Sequence, residues 1–458
     1  MYLKLPVVLL ALIETSLLFY APYFAAAVRF GGEVHRGVPP NGAFWPTAAI
    51  FAIFGVVSLF AVGLYSTRQR VGFGGVVVRI SAAMLNAGAL SAFVYYAAPS
   101  VSLGRVLLAL TVGIAILALV ATRLLFERIV DQEVFRRRVL VYGAGNRARS
   151  ILELRRRSDT RGFRIVGFIA TEGDEISAPA DKLIERPPDL HRWAIDNQLD
   201  EIVMAMDDRR RGFPVHELLE CRLAGIEIQD LPTFLERDTG KVRLDVLNPS
   251  WIIFGEGFRA SPVQRVLERG FDVAASSGLL LLASPLMLLA MLAIKIEDGF
   301  SAPVLYRQRR VGRYGEDFDV LKFRSMSVDA EQGQAIWATK NDPRVTRVGS
   351  VMRKTRIDEL PQLINVLRGQ MSFVGPRPER PEFVHQLEER IPYYSERHTV
   401  KPGITGWAQL CYPYGSSEKD AIEKLQYDLY YVKNRSLLFD LAILVQTVEV
   451  VLWGKGAR

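Results

Sequence analysis

The chain predicts a membrane protein of mixed α and α/β class. The expected parts are a four-helix transmembrane bundle, a Rossmann-like cytoplasmic domain, and a final α-rich domain carrying a re-entrant membrane helix. Three observations lead there. Four long apolar segments occupy about 5–30, 44–66, 74–98 and 103–125. From Arg138 onward, short strand and helix patterns alternate. A further apolar run, Phe271 to Ile296, is broken near its middle by Ser284-Pro285 and has basic residues on both flanks.

The length of 458 residues suggests about three domains, read as 1–128, 138–247 and 261–458. Apolar residues make up 50% of the chain, concentrated at the front, and the net charge is +8. That charge suits anionic lipid surfaces or phosphorylated substrates. Nucleic acid is not an expected partner, because no nucleic-acid module is present. Cys221 and Cys411 stand alone without metal spacing, which fits a reduced compartment and structural roles.

Each of the four front segments is long enough to cross a hydrocarbon core of about 30 Å. No short apolar region with a cleavage pattern follows the N-terminus, so the first segment reads as a retained helix. Arg68, Arg70 and Arg79 mark the second connection, and Arg123, Arg128, Arg136, Arg137 and Arg138 mark the exit. The first loop is only weakly basic, with Arg29 and Arg36 offset by Glu33. Both ends of the bundle should therefore face the cytoplasm.

Val139–Tyr142 reads as a strand, Gly143-Ala144-Gly145 as a turn, and Arg147–Arg157 as a helix. Later strands are expected at Ile165–Ile169, Glu201–Ala205 and Ile226–Gln229, giving a parallel sheet. Gly143, Gly145 and Ala148 form a glycine-rich pattern compatible with a dinucleotide, with Asp174 or Glu172 as the ribose-binding acid. The pattern alone is weak, and a structural or regulatory role is favoured.

Asn248–Ser261 reads as a connector. A straight helix over Phe271–Ile296 could cross the membrane. Pro285 interrupts its hydrogen-bond ladder, however, and a crossing helix should have asymmetric flanks. Here Arg265 and Arg269 precede the run, and Lys295, Arg307, Arg309, Arg310 and Arg313 follow it. A helix-break-helix over about 262–298 that dips in and returns satisfies both facts. The final apolar segment, Ser436–Trp453, reads as a surface-lying or buried helix, with Trp453 and Lys455 suited to an interface.

The most informative stretch is Lys354-Thr355-Arg356-Ile357-Asp358-Glu359-Leu360-Pro361, followed by Gly369 and by Gly375-Pro376-Arg377-Pro378. Pro361 suits a helix start and Gly369 a helix end. A short helix over Leu360–Arg368 would place Asp358 and Glu359 at its positive end, where phosphates and divalent cations also gather. Read with Lys322-Phe323-Arg324-Ser325-Met326 upstream and Lys401-Pro402-Gly403-Ile404-Thr405-Gly406-Trp407-Ala408-Gln409 downstream, the segment closely resembles the bacterial sugar transferases. The resemblance runs from about Ser261 to the C-terminus, and the front half looks like the extension of the family's large members.

That resemblance implies a monotopic phosphoglycosyl transferase at the inner (cytoplasmic) membrane of a bacterium. Such an enzyme moves a sugar 1-phosphate from a UDP-sugar onto polyprenyl (undecaprenyl) phosphate, the first membrane step of exopolysaccharide, capsule or O-antigen assembly. It also implies the re-entrant element, and UDP-glucose or UDP-galactose as donors. The reaction exchanges one phosphoanhydride for another, so the task is positioning and charge neutralisation. A carboxylate nucleophile can separate the two anionic substrates in time. The residues leave open which acid attacks; the resemblance assigns Asp358. Glu359, with Asp358, is a candidate ligand for Mg²⁺, which prefers carboxylates and substrate phosphates.

Lys322 and Arg324, two apart on an expected strand, share a face and are candidate phosphate contacts, a solvated basic face being the plain alternative. Arg353 is a further candidate just before the acids. Arg377, stiffened between two prolines, can offer a planar fork to phosphate, and Lys401 sits in another constrained turn. The extra domains make a homodimer an expectation. A membrane-bound nucleotide-sugar dehydratase or epimerase would share the front half, but no tyrosine has a lysine four residues on. A scaffold or transporter would need charges within its spanning helices, where Glu14 is the exception among nearly acid-free segments.

Overall fold

A computed structural model describes residues 5–31, 44–64, 73–98, 101, 103–129, 136–154, 157–160, 162–208, 212–247, 257–258, 261–327, 344–412, 415 and 417–453. The connector at Asn248–Ser261 lies largely outside them, as do Glu33, Arg36, Arg68, Arg70 and Lys455, and the side chains of Arg128 and Trp453. The chain forms two compact units, Met1–Pro249 and Ser250–Arg458.

The first unit opens with four apolar helices: α1 (Leu5–Arg29), α2 (Phe44–Ala61), α3 (Phe73–Ala97) and α4 (Arg105–Ile129). α1 packs on α2 and α4, and α3 packs on the same two, which closes the group. Outward side chains such as Leu12, Phe24, Phe93 and Leu117 are exposed and apolar. Such a surface marks a membrane protein, because water would penalise it heavily. Inside, Glu14 is fully buried and takes Arg123 in a two-pronged pair at 2.6 and 3.0 Å. Arg123 also donates to the Leu64 carbonyl at 3.0 Å. The acid within these segments is thus neutralised by its partner helix.

The α/β part follows the expected alternation. Its strands are β1 (Arg137–Tyr142), β2 (Phe163–Ile169), β3 (Leu183–Ile184), β4 (Glu201–Met204) and β5 (Glu227–Asp230). The sheet order is β3-β2-β1-β4-β5 and all pairs are parallel, the doubly wound arrangement. Its helices are α5 (Asn146–Leu152), α6 (Arg157–Thr160), α7 (Leu190–Asp196), α8 (Val215–Leu223) and α9 (Leu231–Thr239). Alternation along β1 sends Val139 and Val141 into one core and Leu140 and Tyr142 into the other. The helix expected over Arg147–Arg157 is shorter, ending at Leu152.

The second unit begins with α10 (Pro262–Asp298), a continuous helix of 37 residues with Pro285 inside. Pro285 has no N–H for the Leu281 carbonyl four residues earlier. The Ser284 hydroxyl donates to that oxygen at 2.8 Å. Among the described residues, five helices are long and apolar enough to cross a membrane, and α10 is one of them. Both halves of α10 pack on the same body, Phe271, Ala275 and Leu280 in one cluster and Met287, Ala290, Met291 and Ile294 in another, with Leu360 in both.

Next come the antiparallel strands β6 (Leu305–Val311) and β7 (Asp317–Phe323), then α11 (Arg347–Thr355), a 3-10 turn at Ile357–Glu359, and α12 (Gln362–Leu367). β8 (Ser372–Val374) pairs in parallel with β9 (Gly403–Thr405), and α13 (Pro381–Arg390) lies between them in sequence. α14 (Trp407–Cys411), α15 (Glu418–Asn434) and α16 (Leu437–Trp453) complete the unit. A Ser417–Asp420 capping box starts α15. α16 is half-buried: Ile443 sits in the core and Leu438 is exposed.

Candidate active site

Asp358 and Glu359 do not simply precede a helix. They lie in the 3-10 turn that joins α11 to α12, and Pro361 keeps helical angles at the junction. Arg356, the last residue before the turn, adopts the left-handed conformation at φ 61°. That reversal directs the turn back toward the β6–β7 pair, and it is unusual for a residue with a side chain. Gly369, at φ +80°, closes the far end of α12 as expected.

α12 is fastened to β7 by Asn365, which is fully buried. Its side-chain oxygen accepts from the Leu321 amide at 3.0 Å, and its nitrogen donates to the Asp319 carbonyl at 2.7 Å. This contact sets Lys322 beside the turn, with Nζ 3.5 Å from Glu359 Oε1. Arg356 reaches the same oxygen at 3.2 Å.

The two acids therefore sit in different fields. Burial works to raise the Glu359 carboxyl, but Lys322, Arg377 and Arg356 outweigh it and hold the group below its usual range. Burial and the neighbouring Glu359 push Asp358 up, against the opposing charges of Lys322, Arg356 and Arg353. Asp358 is 8% exposed, and its Oδ1 is buried without a hydrogen-bond partner among the described residues. A buried, unsatisfied carboxylate oxygen is costly and calls for an explanation. Burial lowers the Lys322 ammonium, against the pull of Glu359.

Arg377 emerges from the Pro376–Pro378 turn toward this cluster. Gly375 is required there, since a Cβ would fall 2.3 Å from the Lys401 carbonyl. Arg377 donates to Gln409 Oε1 at 3.2 Å, and its own carbonyl accepts from Arg397 at 3.0 Å. Arg397 is buried, pairs with Asp428 at 2.8 Å and donates to the Tyr394 hydroxyl at 2.7 Å. Arg356, Arg377 and Gln409 also line a cleft of about 380 Å³, shared with Phe383, Tyr412 and Lys424.

Two expected phosphate contacts lie elsewhere. Lys401 belongs to a cluster with Arg269 and Asp272, and Arg269 and its own burial lower its ammonium. Arg324 falls one residue past β7 and pairs with Asp298 of α10 at 2.6 Å, leaving Nε and Nη1 buried without partners among the described residues. Asn365, Arg397, Asp428 and Gln409 were given no role by the sequence reading. Only Gln409 stood in a quoted downstream motif, and no spacing signal marks Arg397 or Asp428.

Among the described residues, no group of three metal-ligating side chains exists. The unsatisfied Asp358 oxygen and the Glu359 carboxylate still suit Mg²⁺, which takes one or two carboxylates and completes its shell with water and substrate phosphate.

The glycine turn of the α/β part is closed by the chain's own acids. Asp207 accepts from the Asn146 and Arg147 amides at 2.9 and 2.8 Å, and Asp174 accepts from the Ala144 amide at 2.9 Å. Those amides would otherwise face a pyrophosphate. Asp174, expected as a ribose ligand, also accepts from the Thr171 amide and hydroxyl.

Residues 263–454 match the family model described as bacterial sugar transferase. The chain is 43% identical over 252 residues to the UDP-N-acetylgalactosamine-undecaprenyl-phosphate N-acetylgalactosaminephosphotransferase of Aeromonas hydrophila, covering 55% of this chain and 58% of that protein. It is 37% identical over 320 residues to the UDP-glucose:undecaprenyl-phosphate glucose-1-phosphate transferase of Escherichia coli K12, covering 68% and 67%. The exopolysaccharide production protein PSS of Rhizobium leguminosarum is 41% identical over 204 residues, 42% of this chain and 98% of its own. The chain thus spans less than two thirds of the Aeromonas protein's length.

Proposed function

Because the chain belongs to the bacterial sugar transferase family, we propose that it moves a sugar 1-phosphate from a UDP-sugar to undecaprenyl phosphate and releases UMP. The observation that carries this reading is the buried Asp358 oxygen, unpartnered among the described residues, beside a carboxylate that three cations hold below its usual range, two of which, Arg356 and Arg377, line a cleft. Polyprenyl phosphates are membrane lipids, and the apolar helices of the chain suit that setting. The bacterial inner membrane, with the catalytic unit on its cytoplasmic face, is part of the proposal.

Asp358 attacks the sugar-bearing phosphorus, and the phosphoanhydride bond to UMP breaks. UMP leaves with the bonding electron pair, and an aspartyl phosphosugar remains. An oxygen of the lipid phosphate then attacks the same phosphorus and displaces the Asp358 carboxylate. Neither step requires a redox partner or a net proton. Lys322, Arg356 and Arg377 neutralise charge at the transferring phosphoryl group, and Arg353 lowers the cost of ionising Asp358. Bound between Asp358, Glu359 and substrate phosphate, Mg²⁺ would supply further charge neutralisation. The cleft beside Arg377 suits the nucleotide, with aromatic and cationic walls.

We further propose that α10 is re-entrant. Support comes from the Ser284–Leu281 bond at Pro285 and from both halves packing on one body. Cysteines placed at Val263 and Phe300 should then be labelled from the same side of sealed vesicles; labelling from opposite sides makes α10 a crossing helix. The activity is tested by UMP release from a panel of UDP-sugars, with and without undecaprenyl phosphate. Absence of UMP release from every donor overturns the transferase reading.

A further inference from the structure

The turn carrying Asp358 is short and flanked by two short helices, so something must hold it. α10 does so from both sides. At its front half, Arg269 donates to the Val366 and Leu367 carbonyls at 2.7 and 2.6 Å. These oxygens end α12, where the Val366 carbonyl also accepts from the Gly369 amide at 2.9 Å, and a cation there suits the negative end of the helix dipole. At its last turn, Glu297 accepts from the Arg347 and Val348 amides at 2.8 and 3.0 Å. Those are the first amides of α11, so an acid caps the positive end.

The next residues on α10 add anchors in the same two places. Asp272 accepts from the Ser372 hydroxyl at 3.0 Å and the Phe373 amide at 3.1 Å, just past α12. Asp298 pairs with Arg324 at 2.6 Å, just past β7. The segment from Arg347 to Leu367 is thereby held at its outer ends by one long apolar helix, with Asp358 and Glu359 between the two grips.

We infer that Arg269 and Glu297 are positioning residues for the reaction, and that α10 braces the Asp358 turn through them. They touch neither acid; they act by fixing the ends of α11 and α12. The catalytic consequence rests on the proposed transferase chemistry, whereas the mechanical grip does not. In-line attack is sensitive to displacement of about 1 Å, so loosening either grip should slow chemistry more than it weakens donor binding, because Arg356 is the one lining residue of the cleft that the gripped segment supplies.

The test uses the full-length protein in nanodiscs and compares Arg269→Met, Arg269→Lys, Glu297→Gln, Glu297→Asp and the Met/Gln double variant. Hydrogen exchange should quicken in residues 356–361 of the Met and Gln variants and stay unchanged in 393–412. Their kcat should fall roughly tenfold to a hundredfold with donor KM within about twofold, and the Lys and Asp variants should recover part of it. The double variant should be little worse than its worse parent, since both act on one turn. Unchanged exchange in 356–361 overturns the grip itself, even if the wild type proves inactive toward every UDP-sugar. Faster exchange with unchanged kcat, or a KM rise that accounts for the loss, overturns the positioning role.

Discussion

Lys322 and Glu359 meet at 3.5 Å across the junction of β7 with the 3-10 turn, and the meeting is arranged by Asn365. Without that amide, the strand carrying the ammonium and the turn carrying the carboxylate would have no fixed register. Replacing Asn365 by Ala leaves the Leu321 amide and the Asp319 carbonyl unsatisfied inside the core. The expected loss is about 2–4 kcal/mol, read from thermal unfolding of the purified protein. Removing the pair itself tests its chemistry. Lys322→Met and Glu359→Gln should each lower kcat about a hundredfold, and the double variant should fall far short of the product of the two.

Asp358→Asn should abolish UMP release, roughly ten-thousandfold or more, and prevent labelling of the protein by radioactive sugar phosphate. The substitution keeps the shape of the turn and removes the nucleophile. Undiminished turnover in this variant takes Asp358 out of the mechanism.

Arg397 and Asp428 form an almost fully buried pair behind the Pro376–Pro378 turn. Burial raises the Asp428 carboxyl to about 6 even with Arg397 beside it. Arg397→Met strands that acid and frees the Arg377 carbonyl, so the expected cost is about 3–5 kcal/mol. Arg397→Met combined with Asp428→Leu should be milder, since no lone charge remains buried. Denaturant unfolding of the three variants measures the difference.

The Tyr431 hydroxyl lies 3.1 Å from the Val374 carbonyl and 2.9 Å from Asp440 Oδ1. One phenolic proton satisfies one of these acceptors, so both contacts are best made when Asp440 is protonated. Burial raises Asp440 to about 7; Glu268 and Asp272 add to the rise, and Tyr431 and Arg435 oppose it. Unfolded, the group titrates near 3.8. The folded state therefore holds a proton that the unfolded chain has lost between these values, and stability falls as pH rises through that window. Asp440→Asn supplies a permanent donor. It should change melting temperature little at pH 4, where the wild-type carboxyl is still partly protonated in the unfolded chain too, and stabilise the protein at pH 8 by on the order of 2–4 kcal/mol.

Much of this was legible in the residues. The apolar segments announced the helices because length and apolarity alone decide that, and the strand alternation announced the parallel sheet. Pro361 and Gly369 bracketed a short helix because their backbone limits are local. Lys401 and Arg324 have neighbours that no local pattern announces: Lys401 lies among Arg269 and Asp272, and Arg324 pairs with Asp298 at 2.6 Å. The glycine pattern at Gly143 was compatible with a dinucleotide but weak by itself; that Asp174 and Asp207 accept from its amides depends on residues 30 and 61 positions further along the chain.

By itself the sequence determined the apolar helices, the strand alternation that follows them and the adjacent acids of the candidate site, since all three depend on local composition or adjacent residues. Only the tertiary structure decided which cations face those acids, that one Asp358 oxygen has no partner among the described residues while Glu359 is paired, and that one long apolar helix bonds to both ends of their segment. Those outcomes depend on side chains far apart in the chain meeting within about 3 Å, and no local pattern encodes a distance.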